Sequence, residues 1–103
     1  MDKATALALA KRFLKYIKSQ NYNLTNAYLF GSYANGNPKE ESDIDIAIFF
    51  EKLEDAIETQ IELMKLRRKI DLRIEPHPFA SSDIKNHTPF VDEILRTGTV
   101  IEF

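Results

Sequence analysis

The chain has 103 residues, with 14 basic and 16 acidic side chains and a net charge of -2. That length predicts one domain over residues 1–103, and the charge balance lacks the basic footprint, pI above about 9, that direct nucleic-acid binding would call for. The absence of cysteine excludes disulfides and thiolate metal sites, and no apolar run approaches the roughly 20 residues of a membrane-spanning helix.

Residues 3 to 20 read as the first helix, with Leu7, Ala10, Phe13, Leu14 and Ile17 on one face at helical spacing. Lys11 and Arg12 interrupt the early apolar run, which makes it a poor signal peptide, so a cytoplasmic protein is expected. Asn21 to Asn26 reads as a turn and Ala27 to Phe30 as a short strand ending at Gly31. Ser32 to Asn35 fits one helical turn closed by Gly36, and Asn35-Gly36 with Asn37-Pro38 marks a loop. Asp43 to Phe50 is the clearest strand, with period two.

A second helix is predicted over 52–69. Its acids (Glu54, Asp55, Glu58, Glu62) precede its bases (Lys65, Arg67, Arg68, Lys69), in the order the helix dipole favours. Ile70 to Glu75 reads as a third strand, ended by Pro76-His77-Pro78. A third helix is expected from about Thr88 to Thr97, with Pro89 near its start and Gly98 past its end. Thr99 to Phe103 completes the chain as a short strand. The order α-β-β-α-β-α-β predicts an α/β (α+β) fold: a small mixed sheet with helices packed on one face.

Chemistry concentrates on two strands. Side chains alternate across a strand, so Ile44, Ile46 and Ile48 point together and Asp43 and Asp45 point the other way. Residues i and i+2 lie about 6.6 Å apart, close enough for both carboxylates to meet one ion. The predicted third strand repeats the pattern: Ile70, Leu72 and Ile74 share one face, and Asp71, Arg73 and Glu75 the other. If the two strands are neighbours, Asp71 joins Asp43 and Asp45. Carboxylates that close repel and raise one another's pKa. Two readings stay open: an exposed, solvated sheet face, or a site for Mg²⁺, which prefers oxygen ligands in the company of phosphates. Two such ions can clamp the attacking and leaving oxygens of a phosphoryl-type displacement.

Gly31-Ser32 follows a strand directly. Glycine lets backbone approach a ligand closely, and amides at the start of a helical turn attract phosphate. Alone, this pair is an ordinary turn. Followed ten residues later by Asp43-Ile44-Asp45, it forms a unit that can offer a phosphate cradle and carboxylates together.

With "LFGSYANG", "SDIDIAI" and, one helix later, "IDLRI", the sequence resembles the DNA polymerase β-like nucleotidyltransferase superfamily. It is most similar to the minimal nucleotidyltransferases often paired with a HEPN-domain partner. The resemblance implies that Gly31 and Ser32 hold the nucleotide's terminal phosphates and that Asp43 and Asp45 coordinate Mg²⁺, with two ions expected. It implies that Asp71 completes the metal site and helps to deprotonate an acceptor hydroxyl. The implied reaction moves a nucleoside monophosphate, AMP from ATP, onto a hydroxyl of a partner protein. The implied setting is the antitoxin of a HEPN/MNT pair, in a homo- or hetero-oligomer. Asn35 stands where many minimal members carry an arginine. Two other functions fit the same residues: a binding-only antitoxin or regulator, and a small-molecule nucleotidyltransferase subunit acting on an aminoglycoside-like hydroxyl. Of the remaining residues, His77 and His87 read as loop histidines without metal-ligand spacing. Phe49, Phe50 and Phe79 read as strand packing or a partner-facing patch, and Tyr33 as a ring able to stack on a base.

Overall fold

The computed structural model describes residues 1–36 and 42–103; the loop expected at Asn37-Pro38 falls outside them. Helix α1 (Lys3–Ser19) begins where the Asp2 carboxylate accepts from the Thr5 N–H at 2.8 Å. It ends in a Schellman turn. Asn21 N donates to Lys18 O and Tyr22 N to Ile17 O, with Asn21 left-handed at φ 70°. Ala6, Ala10, Phe13, Leu14 and Ile17 are buried, close to the face expected.

Strand β1 (Leu24–Phe30) starts three residues earlier than its apolar run suggests, across a register shift between Leu24 and Asn26. A 3-10 turn, Gly31–Tyr33, follows. Strand β2 (Ile44–Phe50) pairs antiparallel with β1. Helix α2 (Ala56–Leu66) is shorter than predicted because Asp55 caps it, accepting from the Glu58 N–H at 3.0 Å. Arg67–Lys69 tighten into a 3-10 turn. Strand β3 (Ile74–Ala80), the short helix α3 (Ser82–Lys85), helix α4 (Pro89–Thr97) and the two-residue strand β4 (Thr99–Val100) complete the chain. The sheet order is β3-β2-β1-β4, with β2 and β3 parallel.

The third strand differs from its sequence-based expectation. It runs over 74–80 instead of 70–75, and the prolines lie inside it. A local turn accounts for the later start. Asp71 Oδ1 accepts from the Arg73 N–H at 2.8 Å, a side-chain turn that bends the chain before the strand begins. Leu72, expected in the core, is left 65% exposed.

Beyond the turn, Ile44 N donates to Arg73 O and Ser81 N to Phe50 O, both at 2.8 Å. Odd-numbered residues of β3 therefore bond β2 and even-numbered ones face the free edge of the sheet. Pro76 and Pro78 sit where an N–H would have no partner, the one place a strand accepts proline. Side chains close the rest of this edge. Arg67 donates to Ile74 O at 2.9 Å, Gln60 to Pro76 O at 3.1 Å, and Ala80 N–H to Asp83 at 3.1 Å. Such an edge resists pairing with another strand.

Helices α1 and α2 cover one face of the sheet, where Ile44, Ile46, Ile48 and Phe50 join Phe13, Leu14, Ile17 and Leu63 in the main core. The last helix departs from the one-face expectation. Val91 and Ile94 of α4 pack with Ala47 and Phe49 on the opposite face. An apolar half of that face needs its own cover, and α4 supplies it. None of the helices among the described residues is long and apolar enough to cross a membrane.

Candidate active site

The uncovered half of the second face holds the polar groups. Phe30 and Asp45 are Cα partners in the β1–β2 register, so the turn after Phe30 folds over the Asp45 carboxylate. Gly31 has φ +73°, and a Cβ added there would lie 2.5 Å from Asp45 Oδ2. Glycine is needed twice over, for a left-handed backbone and for room beside the carboxylate. The Asn35 N–H donates to Gly31 O at 3.1 Å and closes the turn. The Gly31-Ser32 backbone and Asp45 are thus adjacent, as the motif spacing suggested.

Asp43 precedes β2 and is exposed; Asp45 is half-buried. In the parallel β2–β3 register Asp45 pairs with Glu75 and Ala47 with His77. The alternation of β3 turns Glu75 and His77 to the same face as Asp45. Burial pushes the Glu75 carboxyl above its ordinary range. The charge of Asp43, a hydrogen bond with Asp43 and the charge of Asp45 push the same way, and His77 opposes them. Glu75 thus feels both aspartates of β2.

Asp71 is not brought to this cluster. The expectation assumed that it lay in the strand and in phase with Asp43 and Asp45; the strand begins three residues later. Its carboxylate is committed to Arg73, whose Nε donates to Oδ1 at 2.9 Å and Nη2 to Oδ2 at 2.7 Å. That hydrogen bond, helped by the charge of Arg73, holds the Asp71 carboxyl below its ordinary range. Sequence pattern alone placed Asp71 and Glu75 on one face, and only the pairing register separates them.

The lesser candidates also resolve. Tyr33 is fully buried in the main core, its hydroxyl without a hydrogen-bond partner among the described residues, so its ring is unavailable for stacking on a base. Phe49 and Phe50 are buried and Phe79 is partly so, while Phe90, not singled out from the sequence, is 55% exposed. His87 is an exposed residue facing Asp92. His77, read from sequence as a loop residue, is a strand residue with Nε2 3.2 Å from Asp45 Oδ1.

Carboxylate oxygens suit a hard cation such as Mg²⁺. Among the described residues no three His, Cys, Asp or Glu side chains stand close enough to hold an ion by themselves. A cation here would keep oxygens from water or a nucleotide in its shell, as Mg²⁺ ordinarily does. The other end of β2 carries an open cleft of about 400 Å³ against Tyr22, Phe50 and Glu58, remote from the glycine turn.

A glycine turn over a carboxylate strand, on a mixed sheet backed by helices, is the arrangement of a nucleotidyltransferase domain. Residues 13–102 match the family described as Polymerase beta, Nucleotidyltransferase, and the chain belongs to that family. It is 32% identical over 100 residues to the Methanocaldococcus jannaschii protein named Putative protein adenylyltransferase MJ0141, covering 92% of this chain and 97% of the other. Two solved structures share the fold. A "putative nucleotidyltransferase" from Sulfolobus solfataricus matches with TM-score 0.67 and 23% identity, over 95% of this chain and 80% of that one. A toxin-antitoxin crystallised with AMP-PNP matches with TM-score 0.63 and 24% identity, over 89% and 72%.

Proposed function

We propose that this protein transfers AMP from ATP to a hydroxyl group of a partner protein, in a Mg²⁺-dependent reaction, as the antitoxin of a HEPN/MNT pair. The observation that carries the reading is the contact of the Gly31 turn with Asp45, which sets a backbone anion cradle against a carboxylate. The name of the Methanocaldococcus jannaschii relative and the nucleotide analogue with the toxin-antitoxin relative support the substrate class.

In this reading the Gly31 and Ser32 backbone amides and the Ser32 hydroxyl hold the terminal phosphates. Asp43 and Asp45 hold the metal, which supplies charge neutralisation at the phosphates. Glu75 takes the third carboxylate's place expected of Asp71. Beside two aspartates it is poised to accept a proton, the property wanted of a general base. The acceptor hydroxyl oxygen bonds to the α-phosphorus, the bond to the β-phosphate bridge breaks, and pyrophosphate leaves. The hydroxyl proton passes to the Glu75 carboxylate and from there to water.

The test is incubation with α-labelled ATP, Mg²⁺ and the product of the neighbouring gene. Label should move to that product with wild-type protein and not with Asp45→Ala. Absence of transfer, or transfer unchanged in Asp45→Ala, overturns the reading. The exposed Phe90 and Ile57, at 55% and 75%, favour one competitor, neutralisation by contact alone. There Asp45→Ala would still neutralise the partner.

A further inference from the structure

The Asp45 carboxylate is restrained at both oxygens. Oδ2 lies against the Gly31 Cα, where even a methyl group would clash at 2.5 Å. Oδ1 faces His77 Nε2 at 3.2 Å, and both side chains are 27% exposed. A carboxylate only accepts, so Nε2 carries the proton and donates it. The imidazole is itself held. His77 sits in β3 with both strand neighbours proline, which restricts its backbone. The Phe30 ring packs edge-on against it at 5.1 Å, and Phe90 packs against Phe30 at 5.9 Å. Phe30 also stands opposite Asp45 across the β1–β2 pair. Three strands therefore converge on one carboxylate. The other histidine differs: His87 is 79% exposed and faces an exposed Asp92 five residues along.

We infer that His77 is a positioning residue for Asp45. Its Nε2–H fixes the rotation of the carboxylate and keeps Oδ2 turned to the Gly31-Ser32 turn, where the phosphates of the nucleotide would lie. The role rests on the nucleotidyltransferase reading of this site and adds to it a residue that touches neither substrate nor metal. An outer partner that orients a ligating carboxylate sets metal affinity as well as rate, commonly by about 10- to 100-fold.

The test compares His77→Leu with His77→Gln, whose amide nitrogen reaches about as far as Nε2. Mn²⁺ uptake with a non-hydrolysable ATP analogue is followed by electron paramagnetic resonance, beside the melting temperature and, with acceptor present, kcat and KM. His77→Leu should weaken Mn²⁺ uptake by about 10-fold or more and lower kcat more than it raises the KM for ATP. His77→Gln should recover most of both, with melting temperatures near wild type. Phe30→Leu, which frees the ring without touching Asp45, should show a smaller loss in the same direction. Mn²⁺ uptake unchanged in His77→Leu, or unrecovered in a folded His77→Gln, overturns the inference alone. Wild-type protein that takes up no Mn²⁺ with nucleotide overturns both the inference and the site reading beneath it.

Discussion

The two faces of β2 are built from alternate residues of one short strand, and they are spent differently. On the first, Ile44, Ile46 and Ile48 are 0% exposed and Phe50 3%, each side chain contributing about 1.5–3 kcal/mol by leaving water. On the second, Asp45 stays half-open at the start of the strand while Ala47 and Phe49 are buried under α4 further along. The anchoring face keeps the backbone still, so the carboxylates opposite stand on a fixed strand. A site gains precision when it stands on such rigid elements. The same division explains why one end of the second face takes a helix and the other is left open.

If the anchoring face does this work, Ile46→Ala should cost about 2–5 kcal/mol in urea unfolding; a loss below about 1 kcal/mol would show that the strand is held from elsewhere. The opposite face should answer in activity. Asp45→Ala should lower nucleotide transfer by about 100-fold or more, the scale of removing one preorganised electrostatic contact, with no loss of melting temperature. Between the two lies Gly31→Ala, which should cost about 1–2 kcal/mol in left-handed strain. It should also displace the Asp45 carboxylate, so activity per folded molecule falls as well.

The smallest effects concern the two competing carboxylates. The Glu75 carboxyl is raised in the folded protein, so its charged form is disfavoured there at neutral pH. That cost is present above the folded pKa and fades as pH falls through it toward the ordinary value. In the metal-free protein Glu75→Gln should therefore raise stability at pH 7 by less than about 1 kcal/mol, given partial screening by water, and the gain should shrink in acid. Asp71 has the opposite sign. Its lowered carboxyl contributes stability above the ordinary pKa, and that contribution is lost as pH falls through the folded value. Asp71→Asn should give a marginal melting-temperature decrease at pH 7 and leave transfer unchanged. Abolished transfer in Asp71→Asn with full transfer in Glu75→Gln would reverse the assignment of the third carboxylate.

Much of this was readable locally. The period-two run at 43–50 marks a strand, Asn21 ends α1, and a glycine-serine pair ten residues before paired aspartates marks where a glycine turn meets a carboxylate. The caps show how local reading falls short: Asp55 and Asp71 both bind backbone N–H groups nearby, and each delays the start of an element that hydrophobic pattern alone places earlier.

By itself, the sequence determined most of the elements, the motif and the family, because helical and strand periodicity and turn chemistry act over a few residues. Only the tertiary structure decided which acid stands beside Asp45. The pairing of β2 with β3 joins residues about thirty positions apart, and a parallel register is set by packing and not by the chain between. It placed Glu75 beside Asp45, made the proline-flanked segment an edge strand, and put the ring of His77 against a carboxylate that nothing in its own neighbourhood of sequence foretells.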